Sequence, residues 1–265
     1  FGIAQIGKAF RNEIIARNFI FRTREFEQME MQYFVKPGTD DQIMNEWKEK
    51  RFQFYLEKLS VDEKKLRFKE HGENELAHYA KEAWDIEYEF PFGWSEIEGV
   101  HNRTDFDLSR HEEFSGKNLS YFDQPNNERF LPYIIETSAG LNRMLLTVLA
   151  DAYWEDEENN RVVMRLHPRL APIKAVVCPL LKKDGLPEKA REIMDLLKPH
   201  FKTIYDQQGS IGKRYYRQDE AGTPFGITVD HQSTEDNTVT LRHRDSQKQD
   251  RVAIDELINT INKNI

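Results

Sequence analysis

Arginines, carboxylates and aromatic residues alternate at a spacing of two in Phe10-Arg11-Asn12-Glu13. They do so again in Phe21-Arg22-Thr23-Arg24-Glu25-Phe26-Glu27-Gln28-Met29-Glu30. Strict alternation predicts strands, and the short break at Ala16-Arg17-Asn18 predicts a hairpin. Pairing Ile15 with Ile20 around a four-residue turn sets Glu13 opposite Arg22 and Arg11 opposite Arg24. One face then carries Arg11, Glu13, Arg22, Arg24, Phe26, Gln28 and Glu30, and the other Phe10 and Phe21. A slip of one residue would divide the charged set.

The pattern changes after Lys36-Pro37-Gly38. Apolar residues at helical spacing predict a helix over 41–59, with Ile43, Trp47, Phe54, Tyr55 and Leu59 near one face. Ser60 and Glu63 have capping-box spacing and predict a further short helix. Residues 73–85 read as another helix, carrying Leu76, Ala80, Ala83 and Trp84. Strands are predicted at 86–90 and 94–100, joined at Pro91-Phe92-Gly93, with Trp94, Glu96 and Glu98 on one face and Ile97 on the other. Thr104 suits a helix N-cap, which places Arg103 at a helix entrance. An apolar strand over 130–136 ends on Glu136, Thr137-Ser138-Ala139-Gly140 predicts a turn, and 141–153 an apolar helix. Arg143 near that helix's N-terminus is unfavourable for the helix dipole. It suits either a nearby anion or a side chain reaching solvent.

Residues 154–161 form a charged, turn-rich stretch, and the domain boundary is placed after residue 160, giving domains 1–160 and 161–265. Beyond it strands alternate with helices: strands at 173–178, 203–206, 225–230 and 238–242, helices at 187–197, 211–220 and 254–262. This order predicts a small α/β domain with a mainly parallel or mixed sheet.

Composition and charge add further constraints. An apolar fraction of 38% supports real cores, and no run is long enough to span a membrane. Cys178 is the one cysteine, which rules out an internal disulfide and suits a reducing cytoplasm. The first residue is Phe, so the chain is expected to be an internal or C-terminal piece of a longer polypeptide. The net charge of −8 divides unevenly: residues 1–160 hold 20 basic and 32 acidic side chains, residues 161–265 hold 18 and 14. The basic balance of the second part makes it the candidate for a polyanion. There Lys213, Arg214 and Arg217 suit RNA contact or a solvated helix face equally well.

Charges at hairpin positions suit either a solvated face with cross-strand ion pairs or a ligand. A nucleotide fits: arginine for phosphate, phenylalanine for stacking, glutamate for an exocyclic amine. Phosphate-loop, dinucleotide-fold, nucleophile-elbow and CxxC motifs are absent, and Gly209-Ser210-Ile211-Gly212-Lys213 lacks phosphate-loop spacing. His101, Arg103, Asp105 and His111 fit no familiar zinc spacing, and helix-surface polarity explains them better.

Phe10-Arg11-Asn12-Glu13 with Arg22, Phe26 and Glu30 resembles motif 2 of class II aminoacyl-tRNA synthetases. Glu136-Thr137-Ser138-Ala139-Gly140-Leu141-Asn142-Arg143 resembles their motif 3. The wording FRTREFEQME, GWSEIEGVHNRTDFDL and IIETSAGLNR is similar to the dimeric, α2 glycyl-tRNA synthetase family. APIKAVVCPLL and GKRYYRQDEAGTPFGITVD resemble the anticodon-binding domain shared with the prolyl, threonyl and histidyl enzymes.

The resemblance implies an α+β catalytic core built on an antiparallel sheet, followed by a smaller α/β anticodon-binding domain with a mixed five-stranded sheet. It implies glycine, ATP, Mg²⁺ and tRNA(Gly) as ligands, a homodimer in the full-length protein, and a cytoplasmic location. Arg11 would hold the α-phosphate and act in catalysis together with Arg143. Glu13 would meet the adenine amino group with Asn12 nearby, Phe26 would stack on adenine, and Arg22 and Arg143 would clamp the outer phosphates. Phe21, Glu96, Ile97 and Gly140 would line the ATP site. Gln28, Glu30, Arg103, Glu136 and Ser138 would serve the amino acid, and Glu136 would share a Mg²⁺. Motif 1 lies outside this sequence, so charging by this stretch alone is expected to be weak. A non-catalytic, synthetase-like accessory protein and a prolyl or threonyl enzyme are the alternatives. The retained Arg11, Arg22 and Arg143 argue against the first, and Glu30 with Glu136 and Ser138 against the second.

Overall fold

The computed structural model describes residues 1–265 apart from Glu73. The chain divides into two compact units, Phe1–Asp151 and Ala152–Ile265. The first is built on an antiparallel sheet. Its elements in chain order are β1 (Gly2–Phe10), β2 (Glu25–Val35), α1 (Asp40–Glu57), β3 (Leu66–Glu70), β4 (Glu82–Phe90) and β5 (Gly93–Thr104). Then come α2 (Phe106–Ser115), a small hairpin of β6 (Tyr121–Asp123) and β7 (Glu128–Phe130), β8 (Tyr133–Gly140) and α3 (Leu141–Ala152). The six long strands lie in the order β1-β2-β8-β5-β4-β3.

One face of this sheet is apolar. Val35, Ile86, Tyr88, Val100, Ile135 and Ala139 are buried there with Met44 and Tyr55 of α1 and Met144 of α3. The alternation of β2 and β8 leaves their polar positions on the opposite face.

The opening hairpin keeps the expected register: Phe10 pairs with Glu25, Arg11 donates its amide to the Arg24 carbonyl at 3.0 Å, and Arg22 lies 3.7 Å from Glu13. The regular ladder stops there. Arg17 and Arg22 form a separate tight bridge around the tip, so the turn spans residues 18–21 rather than 16–19. Arg24 leaves the shared face, and its guanidinium holds the carbonyls of Glu13 and Ile14 at 2.9 and 3.3 Å.

Four other expectations are corrected. The helix over 73–85 is replaced by turns and by the start of β4; Glu73, where that helix was to begin, lies outside the described residues. Strand β4 is flanked by β3 and β5 and buried on both faces, which hides the alternation that marks a strand. Thr137-Ser138-Ala139-Gly140 does not turn: ladders to β2 and β5 hold these small residues extended. Ser60, at a φ of +56°, is not a cap. Asp62 accepts from Lys64 instead and opens only a short 3-10 turn at Glu63–Lys65. Finally, a bulge in β5 opposite Ile86 and Glu87 breaks the 94/96/98 alternation, so Glu96 and Glu98 part. Glu98 turns into the core, where Arg51 and Tyr55 of α1 bind it.

In the second unit a hairpin, β9 (Tyr153–Asp156) and β10 (Arg161–Met164), precedes a mixed sheet. That sheet holds β11 (Ala175–Pro179), β12 (Thr203–Tyr205), β13 (Phe225–Val229), β14 (Thr238–His243) and β15 (Gln249–Ala253), in the order β12-β11-β13-β14-β15. The first three run parallel and the last two antiparallel. The helices are α4 (Leu186–Leu197), α5 (Ile211–Glu220), α6 (His231–Asp236) and α7 (Leu257–Asn262). The stretch 154–161 is therefore a hairpin inside this unit, and the division falls before it, earlier than the sequence suggested. Buried Asp156 and Arg161 of the hairpin tie it to Asp219 of α5. Strand β15 and helix α6 were not expected, because both are short and polar.

Candidate active site

Three neighbouring strands build the floor of the site. Strand β2 sets Gln28 opposite Gly140, Glu30 opposite Ser138 and Gln32 opposite Glu136. Strand β5 sets Gly99 opposite Ser138 and His101 opposite Glu136. Two rows, Glu30–Ser138–Gly99 and Gln32–Glu136–His101, therefore cross the sheet side by side. They open into two adjoining cavities that share Arg11, Gln28, Glu96 and Ser138 as lining.

The first cavity is cationic and aromatic. The Arg11 guanidinium lies over the Phe26 ring, 5.4 Å from its centre. Among the described residues it has no carboxylate within ion-pair distance. Helix α3 starts directly after β8, so Arg143 in its first turn points back across the sheet. Its Nε donates to the Phe21 carbonyl at 3.1 Å and its Nη1 to the Glu96 carbonyl at 2.8 Å, with the Glu96 carboxylate 3.3 Å away. The Phe21 ring lies 4.2 Å beneath it. These contacts hold a cation where the helix dipole alone would repel one. Phe21 reaches this cavity, against strict alternation, because the ladder has already ended before the tip.

The second cavity is acidic. Gln28 donates to the Ser138 hydroxyl at 2.5 Å, and that hydroxyl faces Glu30 at 3.4 Å. Glu136 is buried and receives Gln32 and Arg103 at Oε2, both at 2.7 Å, and His101 at Oε1 at 3.2 Å. Burial pushes its carboxyl up, but the hydrogen bonds from His101 and Gln32 and the Arg103 charge outweigh this and hold it at about 2. Arg103 is itself fixed by Asp107 at 2.8 Å and by the Tyr79 ring at 4.1 Å. Asp85, one strand further on, is pushed up by burial and by the Glu96 charge.

Arg11, Glu13, Phe21, Arg22, Phe26, Gln28, Glu30, Glu96, Arg103, Glu136, Ser138, Gly140 and Arg143 all line one cavity or the other. Two expected residues do not. The Ile97 side chain lies in the core at 1% exposure, on the face away from Glu96, and lines neither cavity. Asn12 is exposed outside the lining, beyond the end of the ladder. A Mg²⁺ at Glu136 also fits poorly. Three donors, one a guanidinium, already occupy its oxygens, whereas Mg²⁺ requires free oxygen ligands in near-octahedral array. Among the described residues, no group of three or more His, Cys, Asp or Glu is placed to hold a metal ion.

Sequence reasoning missed Gln32, Gly99, Tyr79 and Asn142. Gln32 continues the even-numbered face of β2 and could have been found by extending it. Asn142 accepts the Glu27 amide at 2.9 Å, pinning the start of α3 to β2, and carries no local signal. In the second unit, Arg214 is buried and donates to the carbonyls of Pro179 and Gly209, and Arg217 pairs with Asp206. Of the three basic residues of α5, Lys213 alone stands free among the described residues.

The chain matches the family described as tRNA synthetase class II core domain (G, H, P, S and T) over residues 1–152, and the anticodon binding domain over residues 174–264. It is 61% identical to the glycine–tRNA ligase of Treponema denticola over 273 residues, covering all of this chain and 60% of that protein. It is 54% identical to the enzyme of that name from Borrelia hermsii, covering all of this chain and 61% of the relative. Against that of Chlorobaculum tepidum it is 55% identical, covering 95% of this chain and 54% of the relative. The chain thus spans little more than half the length of these curated relatives. Sheet order, paired cavities and a core match across more than half of the residues agree: the chain belongs to the class II tRNA synthetases.

Proposed function

We propose that the site activates glycine with ATP to glycyl-adenylate and passes the glycyl group to tRNA(Gly), the reaction named for its relatives. The observation that carries this reading is the continuity of the two cavities. A cation-and-ring end suited to a nucleotide meets, at Gln28 and Ser138, an acidic end suited to an ammonium.

In this reading Phe26 stacks on adenine with Arg11 beside it, and Glu13 accepts the exocyclic amine. Arg11 meets the α-phosphate, and Arg22 and Arg143 meet the outer phosphates. Glu30, Ser138 and Glu136 hold the glycine ammonium, leaving its carboxylate directed at the α-phosphorus. A carboxylate oxygen then bonds to that phosphorus as the bond to pyrophosphate breaks. The step transfers no proton, so positioning and charge neutralisation suffice and no nucleophilic side chain is required. Mg²⁺, when brought by the phosphates, adds to that neutralisation. A terminal ribose hydroxyl of tRNA next attacks the acyl carbon and releases AMP, with the second unit binding the anticodon end.

A homodimeric full-length protein and a cytoplasmic location belong to the same reading. Glycine-dependent ATP–pyrophosphate exchange on the full-length protein tests it, with alanine and serine as controls. Exchange with glycine alone is expected; none with glycine, or equal exchange with serine, would sink it.

A further inference from the structure

Among the described residues, Glu136 has three donors, two on Oε2 and one, His101, on Oε1. An ionised carboxylate offers about four acceptor directions. The one left open lies on Oε1, the oxygen His101 shares. The carboxylate can only accept, so the His101 Nδ1 carries the proton. The direction in which this ring approaches therefore decides where the last lone pair points.

The ring owes its place to the residue two positions before it. A Cβ built on Gly99 would stand 2.8 Å from the His101 Cε1 and 2.9 Å from its Nε2, closer than real Cβ contacts allow. The backbone at Gly99 does not adopt a positive φ, so it is this contact rather than backbone strain that a side chain would meet there. In the Glu30–Ser138–Gly99 row, His101 leans back into the space that a residue-99 side chain would fill. Behind it, the His71 ring stands edge-on at 6.3 Å, with its own Nε2 2.9 Å from Asp85.

We propose that Gly99 and His101 are a pair of positioning residues that aim the open lone pair of Glu136 at the amino-acid ammonium, and that they act on amino-acid binding without acting on the nucleotide. The inference rests on the assignment of glycine activation above. Both line the acidic cavity, where His101 orients Glu136 and Gly99 leaves that ring its space.

Michaelis constants for glycine and ATP, read by pyrophosphate exchange on the full-length protein, test this. Loss of a charge-assisted hydrogen bond corresponds to about ten-fold or more in binding. His101→Ala should raise the glycine KM by that factor and leave the ATP KM within about two-fold. His101→Asn, whose amide nitrogen can take the place of Nδ1, should recover most of the loss. Gly99→Ala should behave like His101→Ala, and the double variant should be no worse than His101→Ala alone, because the ring that Cβ meets is gone. Three results would each overturn the pair: an equal rise in ATP KM, an Asn variant as impaired as the Ala variant, or additive losses in the double variant. Absence of glycine-dependent exchange in the unaltered protein would instead remove the functional assignment beneath it.

Discussion

Charges buried in the second unit close into a network, whereas Arg11 and Glu30 of the first unit stand exposed beside the cavities. In the second unit, Arg161 donates to Asp156 and Asp219 at 2.7 Å and to the Arg244 carbonyl at 2.9 Å, while Arg242 grips Asp219 through both of its terminal nitrogens. These buried charges are partnered within the unit, and Asp219 retains 1% exposure. In the first unit, among the described residues, the Arg11 guanidinium has an aromatic ring as its partner and Glu30 a hydroxyl at 3.4 Å, and neither has an ion pair. A closed network stabilises a fold, whereas charges left open beside a cavity are available to a ligand.

Breaking the closed network should give the largest effect. Asp219→Ala leaves Arg242 buried without its carboxylate and Arg161 with Asp156 alone, and should cost about 3–5 kcal/mol of stability, read by denaturant unfolding. A loss below about 1 kcal/mol would show that the network is not structural. Arg11→Ala should do the reverse. Pyrophosphate exchange should fall by about 10²–10³-fold, the usual effect of removing one group that stabilises developing charge, with the unfolding midpoint unchanged. A large stability loss in this variant would place Arg11 with the structural arginines and erase the contrast.

Glu136 stands between the two cases, being both well bonded and part of the site. Its carboxyl lies at about 2 in the fold against an ordinary 4.5. A depressed carboxyl contributes stability that is fully present above the unfolded value and is lost as pH falls through the folded value. Between pH 4.5 and 2 the protein should therefore lose more stability than Glu136→Gln does, by at most about 3 kcal/mol. Parallel pH curves for the two proteins would show that the hydrogen bonds to Glu136 stabilise nothing.

Much of the candidate site was legible because strand alternation is a local property. Once Phe26 and Glu30 are known to lie on one extended segment, a shared face for Phe26, Gln28 and Glu30 follows from a period of two. The hairpin register followed as well, since a slip would have separated the charged residues. The shared face expected for Glu96 and Glu98 failed for the complementary reason. A bulge depends on the partner strand, and the composition of β5 does not announce it. The helix expected at 73–85 failed because a strand buried on both faces loses its alternation and can be taken for a buried helix.

The sequence by itself determined which residue types were available for chemistry, the antiparallel character of the first unit, the mixed α/β character of the second, and the family. Only the tertiary structure decided which of these residues meet. The rows Glu30–Ser138–Gly99 and Gln32–Glu136–His101 join segments far apart in the chain, and their pairing is set by ladders on both sides of β8. The same ladders turned an expected Thr-Ser-Ala-Gly bend into a strand, so that Ser138 and Gly140 face the cavity. Local propensity is a preference of a few tenths of a kcal/mol per residue, and hydrogen bonds to two neighbouring strands outweigh it.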